Sequence, residues 1–311
     1  SPYGGMDFRS SRGYPGYFYV DGVKTIDPDC PEDSATASGS CLFDYGPFGL
    51  TIPASERVGF IDQFDYKIGD ETTAFMEVAM QHNTSEAGGA ATPLDEDAGL
   101  TVPGTHPDNP FGQDIEIGRY RPVDAGARRW DIESDTLRLV AGLRGTFNDY
   151  DWEASVQKGR SRSEQSGDQS QGWVRVDWLQ EQINLGNYNP FGGVTNPQSV
   201  IDDITTSLVR RGESRMTSVD AHITGEAFSF GDDVVMMAAG VEYREEQVSD
   251  VPDVQFQRGL IFGTESVSAS AERDQYAAYL ELSIPLAEQL ELQLAGRYDH
   301  YSDFGSTTNP K

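Results

Sequence analysis

Alternation with a period of two dominates the chain. In LELQLAGRYDH (290–300), Leu290, Leu292, Leu294, Gly296 and Tyr298 fall on one face, and Glu291, Gln293, Arg297 and Asp299 on the other. Successive side chains of a strand point to opposite faces, so this pattern predicts a half-polar strand. The segment before it (274–284) alternates in the same way, and only PLAEQ separates the two. Three more such pairs occur. VGFIDQFDYKI (58–68) precedes the alternation of Thr72, Ala74, Met76, Val78 and Met80. Leu137, Leu139, Ala141 and Leu143 precede DWEASVQKG, and Val219, Ala221 and Ile223 precede VVMMAAGVEYREE. Four hairpins are therefore predicted, with strands of about ten to thirteen residues. GYFYVDG (16–22) and WVRVDWLQEQINL (173–185) are further strand candidates, giving roughly eight to ten strands.

The connections are unequal. Turns within hairpins are short, whereas the segments between hairpins, 82–136, 161–214 and 247–273, are long. Short turns at one end and long loops at the other predict an all-β, antiparallel up-and-down transmembrane β-barrel, present here in part. Strands of this length match the roughly 9 to 11 tilted residues that cross a hydrocarbon layer. A large soluble sandwich is the competing architecture. Loops this long are uncommon in compact domains, and the small Ala and Gly on the apolar faces would leave voids in a dry core. Aromatic residues near the strand ends, Tyr66, Trp130, Trp152, Tyr243, Tyr276, Tyr298 and Tyr301, fit an interfacial girdle.

Composition narrows function further. Acidic residues number 51 against 23 basic ones, a formal net charge of −28. Nucleic-acid binding rests on neutralising phosphates with Lys and Arg, so nucleic acid is excluded as a partner. Aromatics at 11% and 33 glycines argue against disorder. No run reaches the roughly 20 apolar residues of a membrane helix. The start, SPYGGMDFRSS, lacks both Met and an apolar leader, so a removed signal or an internal fragment is expected.

Cys30 and Cys41 bracket CPEDSATASGSC, which has no His or further Cys to complete a zinc site. A disulfide in an oxidising compartment is the expectation, with two unpaired thiols as the alternative. His82, His106, His222 and His300 are isolated in sequence, and no nucleophile elbow or phosphate loop occurs, so an enzyme is not expected. The acidic clusters DPDCPEDS (27–34), LDEDAG (94–99) and IDDI (201–204) raise calcium as a ligand. None has the spacing of a calcium loop, so solvated loop charge and no cofactor are expected.

Three turns repeat a Pro-Phe-Gly core: YGPFGL (45–50), DNPFGQ (108–113) and YNPFGG (188–193). Pro fixes φ and Gly permits reversal. All three lie outside the hairpins, so Phe48, Phe111 and Phe191 are expected to anchor loops and to be more buried than their neighbours.

Two stretches carry a family resemblance: AAGVEYREEQ (238–247) and AERDQYAAYLELSIPLAEQLELQLAGRYDHYSDFGSTTNPK (271–311). CLFDYGPFGLTIPASERVGF and the YNPFG near 188 resemble the same family, the TonB-dependent outer-membrane receptors. The resemblance implies an active transporter in a Gram-negative outer membrane. It would take up a scarce ligand such as a siderophore, haem, cobalamin or oligosaccharide. The family's barrel has roughly 22 strands around a plug, and an inner-membrane TonB complex pulls on an N-terminal coupling segment. Outer-membrane lipid and lipopolysaccharide are the implied surroundings, with divalent cations bridging acidic loops to the latter.

This sequence departs from that pattern: it shows neither plug nor coupling segment, and no final aromatic-ended strand. The expectation is an N-terminal to middle part of one barrel domain over 1–311, with extracellular loops at about 23–56, 82–136, 161–214 and 247–273. The residues that contact ligand are not identified. The alternatives are a non-transporting surface or carbohydrate-binding β-protein and a porin-like passive channel.

Overall fold

The computed structural model describes residues 7–230, 233–287 and 289–310. Its elements in chain order are β1 (Tyr17–Val20), β2 (Val23–Ile26), β3 (Ser55–Lys67), β4 (Thr72–Gly89), β5 (Thr101–Val102), β6 (Ile115–Arg119), β7 (Arg128–Phe147) and β8 (Tyr150–Gly167). Two short helices follow, α1 (Val176–Asn184) and α2 (Gln198–Ile204), then β9 (Leu208–Phe230) and β10 (Asp233–Val251). After α3 (Val254–Gln257) come β11 (Ala269–Ala287), β12 (Leu290–Tyr301) and β13 (Gly305–Pro310).

Nine strands form one antiparallel sheet in the order β13-β12-β11-β10-β9-β8-β7-β4-β3. Every neighbour in it is also the next main-sheet strand along the chain, which is the up-and-down topology. The predicted hairpins are all present, but six of their eight strands are longer than expected; β3 and β12, at 13 and 12 residues, are not. β9 runs for 23 residues and β7 for 20. The loops shorten accordingly to 90–127, 168–207 and 252–268. Alternation of apolar and polar residues stops marking a strand where both faces turn polar, although the ladder of hydrogen bonds continues.

Cross-strand register defines the two faces. The row Phe64–Met76–Ala141–Val156–Val219–Tyr243–Tyr276 crosses seven strands on one face. Below it the row Leu143–Ala154–Ala221–Val241–Ala278–Tyr298 is also apolar. No described residue covers this face: Phe60, Leu143, Val241 and Leu294 are all exposed. On β3, Asp62 interrupts the band between Phe60 and Phe64. The upper border of the band is oblique to the rows. On β4 and β7 it reaches Met80 and Leu137, which pair with each other. That same row already carries Arg160 on β8 and Arg215 on β9. Strands tilted against a horizontal hydrocarbon layer produce such a slanted border.

The buried core lies elsewhere. Among the described residues, the buried apolar side chains of the nine-stranded sheet are only Leu208, Val235 and Ala277. The rest come from the N-terminal segment and the long connections, and most of them pack around a second sheet of order β2-β1-β6-β5. GYFYVDG does supply a strand, β1, but it pairs with β2 and β6 rather than with the large sheet. The other expected strand is corrected outright: 173–185 contains α1, whose Leu179 and Ile183 are buried four residues apart. That is helical spacing, and it outweighs the short alternation of Trp173 to Arg175.

Five of the seven candidate girdle aromatics lie on the apolar face, among them Tyr243 and Tyr276 with ring centroids 5.0 Å apart. Trp130 and Tyr301 do not. Trp130 packs on Trp173 and Phe256 in a second buried cluster, and Tyr301 pairs with Gln275 on the polar face.

Candidate functional site

The polar face of the large sheet is held by ion pairs and hydrogen bonds, some within a strand, some between adjacent strands and some reaching across an intervening one. Arg144 meets Asp65 at 2.6 Å, Arg138 pairs with Glu77, and Ser155 donates to Asp220 at 2.8 Å. Farther along, Asp299, Arg297, Glu242, Arg244, Glu246 and Arg273 form a continuous chain of charge pairs across β10 to β12, separated by 2.5 to 3.7 Å. At its upper end Arg273 stands over the stacked rings of Tyr301 and Phe304. Each strand contributes because its even or odd residues all point one way. Such a face is wetted and can line an aqueous passage, and the rings give it a contact for an apolar solute.

The loop core stands at the end of the sheet from which the long connections emerge. Two of the three Pro-Phe-Gly turns build it. Asn109 Oδ1 accepts from the Phe111 N–H at 2.9 Å, and Asn189 Oδ1 accepts from the Phe191 N–H at 2.8 Å. Their rings converge on Phe18, with centroids 6.3 Å and 4.8 Å from it and 6.4 Å from each other. Phe191 is buried and Phe111 half-buried. Phe48 is different. It is 38% exposed, like the residues beside it, and only stacks on Phe43 at 5.7 Å. The expectation that it is more buried than its neighbours is therefore corrected. In that turn Gly46 replaces the Asn, and Asp44 Oδ1 accepts from the Gly46 N–H instead, so the ring is turned onto the surface.

The turn at 188–193 is tied down on all sides. Tyr188 and Tyr120 share a buried hydroxyl hydrogen bond of 2.7 Å. Asp124 accepts from Tyr188 at 3.3 Å and from the Asn196 side chain at 2.7 Å. Asn196 Oδ1 in turn accepts from the Asn189 N–H. Burial pushes both tyrosine hydroxyls well above their ordinary pKa, so they stay neutral donors and acceptors. The Gly192 N–H donates to Asp27 Oδ2 at 3.0 Å. Burial raises the Asp27 pKa, and the N–H groups of Asp29 and Gly192 only partly offset it. A Cβ on Gly192 would stand 2.4 Å from Pro15, so only glycine passes there.

Arg121 joins the N-terminal segment to this core. It donates to the carbonyls of Arg12 and Ala91 and lies over the Phe43 ring. Burial, with Arg128 and Arg12 nearby, pushes its pKa down to about 10. Cys30 and Cys41 are bonded, with Cα atoms 5.9 Å apart. His106 is a core residue whose Nε2 contacts the Tyr188 carbonyl. His82 pairs with Asp135, and His300 with Ser306. These histidines stay apart. In the acidic clusters, Asp95 caps a 3-10 turn and pairs with Arg12, and Asp202 accepts from Gln198.

Phe18, Tyr120, Tyr188, Asp124 and Asn196 were not singled out by sequence. The usable signal was the Asn that precedes Pro in two of the three turns, since its side chain can cap the turn it begins.

Residues 81–311 match a family model described as TonB dependent receptor-like, beta-barrel. A search of curated proteins gave no match. Among solved structures the chain is similar to the siderophore receptor PirA from Acinetobacter baumannii. Identity is 14%, over 83% of this chain and 31% of that one, with a TM-score of 0.43. It is also similar to the ferric enterobactin receptor PfeA of Pseudomonas aeruginosa, at 11% identity over 92% of this chain and 45% of that one, with a TM-score of 0.31. The chain thus spans less than half the length of either structure.

Proposed function

The chain belongs to the TonB-dependent receptor β-barrel family, and from that premise we propose that it forms part of the wall of an outer-membrane receptor that imports a scarce ligand. One observation carries this reading. A single sheet has an uncovered apolar band on one face and a ladder of ion pairs on the other. An apolar face without a protein partner fits hydrocarbon, and an ion-paired face fits a wetted interior. The long connections all leave at one end, and in this reading the loop core there faces the cell exterior, where ligand arrives. The ligand then passes along the polar face, and the inner-membrane TonB complex supplies the energy. A siderophore, haem, cobalamin or oligosaccharide is the expected cargo class.

The test uses cells expressing the intact receptor, supplied in turn with labelled ferric siderophore, haem and cobalamin. Uptake of one of them is expected to require TonB. Equal uptake without TonB would return the protein to a passive channel.

A further inference from the structure

β3 is the outermost strand of the large sheet. Its 13 residues pair with β4 on one side, and among the described residues no strand pairs with the other. β1 and β2, which precede it in the chain, belong to the second sheet. A row of free backbone N–H and C=O groups finds no hydrogen-bond partner in hydrocarbon, so in a barrel wall this edge takes a further strand. The side chains along β3 are the first that such a strand meets.

On its outward side β3 presents Val58, Phe60, Asp62, Phe64 and Tyr66. The four apolar side chains are exposed, and Asp62 is half-buried between them. Opposite Asp62 on β4 stands Val78, and beyond it Leu139 on β7. The next side chain in that row is Lys158 on β8, three strands away and so roughly 14 Å at the ordinary strand spacing. Arg57, Asp65 and Lys67 are on the other side of the strand, where Arg57 donates to Asn83 and Asp65 meets Arg144. Toward the loops the outward side carries Glu56 on β3 and His82 on β4, and His82 is taken by Asp135. Asp62 itself accepts from the Gln63 N–H at 2.9 Å and has no ion pair among the described residues.

We propose that Asp62 is one half of an ion pair across this edge: β3 pairs with a strand from elsewhere in the receptor, and that strand turns a lysine or arginine outward beside Asp62. A carboxylate on the hydrocarbon side of a strand is costly, and a cation that meets it with hydrogen bonds offsets the cost. Facing side chains of paired strands stand about 4.5 to 5.5 Å apart, within reach of either cationic head. The pair also sets register. Sliding the incoming strand by one residue turns its cation to the wetted face, and sliding it by two sets the cation against Phe60 or Phe64. A single carboxylate in an apolar row thus selects both the neighbour and its alignment. The inference rests on the proposed function, because it requires the apolar face to meet lipid.

The experiment uses the intact receptor folded into phosphatidylcholine vesicles. A photoreactive phenylalanine analogue at position 62 identifies the neighbour, and the expected product is an internal crosslink to a strand with an outward Lys or Arg. Urea unfolding then reads the pair. Asp62→Asn keeps the side chain's shape and removes its charge, which leaves the facing cation alone, so the folded-to-unfolded ratio should fall about tenfold. Asp62→Lys should fall further, and replacing the facing cation by Asp in that background should recover most of the loss. An Asp62→Asn variant as stable as the wild type, or more stable, overturns the inference and leaves the transporter reading intact. A crosslink between two receptor molecules overturns it in favour of a contact between copies, and labelling of lipid alone overturns it in favour of a solitary carboxylate. A wild-type protein that does not insert into vesicles overturns both readings.

Discussion

At the scale of single residues, the three Pro-Phe-Gly turns show how one exchanged side chain redirects a ring. With Asn before Pro, the side-chain oxygen caps the N–H of the Phe and turns its ring inward at Phe111 and Phe191. With Gly46 there, Phe48 lies on the surface. Phe191→Ala is expected to destabilise the loop core by about 3 to 5 kcal/mol, and Phe48→Ala by less than about 1 kcal/mol. Chemical denaturation followed by the fluorescence of Trp173 would read both. Asp27 gives a pH prediction. Its pKa is raised in the folded loop core by burial. Between the ordinary carboxylate value and that raised value, the folded state holds the extra proton. Its contribution is therefore most favourable below the ordinary value and is lost as pH rises through the raised one. Relative to Asp27→Asn, the wild type should gain stability as pH falls through this window. A wild type that instead loses ground to the variant on acidification would contradict the burial argument.

At the scale of elements, a strand's two faces have opposite requirements one residue apart. Ala221 lies in the apolar row between Ala154 and Val241, while His222 faces Glu153 on the polar side. Ala221→Lys should cost about 2 to 4 kcal/mol in a bilayer, and His222→Lys less than about 1 kcal/mol. Folding equilibria in lipid vesicles would measure the difference, and equal costs would mean that the apolar face does not meet hydrocarbon. The hairpins were legible because this alternation is local and each tight turn pairs adjacent segments. Strand ends were not. Beyond Val156 both faces of β8 are polar, so only the hydrogen-bonded register with β9 shows that the strand continues to Gly167. α1 was misread for a related reason: two or three alternating residues resemble a strand until the burial of Leu179 and Ile183 sets the period.

At the scale of the whole molecule, the chain separates into a sheet whose apolar side is uncovered and a loop core that buries its own. Cys30–Cys41 closes a loop within the N-terminal segment, and a closed loop of that size contributes about 3 kcal/mol by restricting the unfolded chain. Sequence alone determined the antiparallel hairpins, the inequality of turns and loops and the excess of negative charge, and it made the Cys30–Cys41 bond the expectation over two free thiols. Each of these depends on neighbours in the chain or on a count. Tertiary structure decided what no local pattern carries: that β1, β5 and β6 leave the large sheet for a second one, and that Phe18 gathers rings from turns 80 residues apart in the chain. It also decided that Arg160, Arg162 and Arg215 share one carboxylate on the outward face. These contacts join segments far apart in sequence. Their partners are chosen by strand register and packing, so the turn YNPFGG could be recognised as a turn long before its anchor could be known.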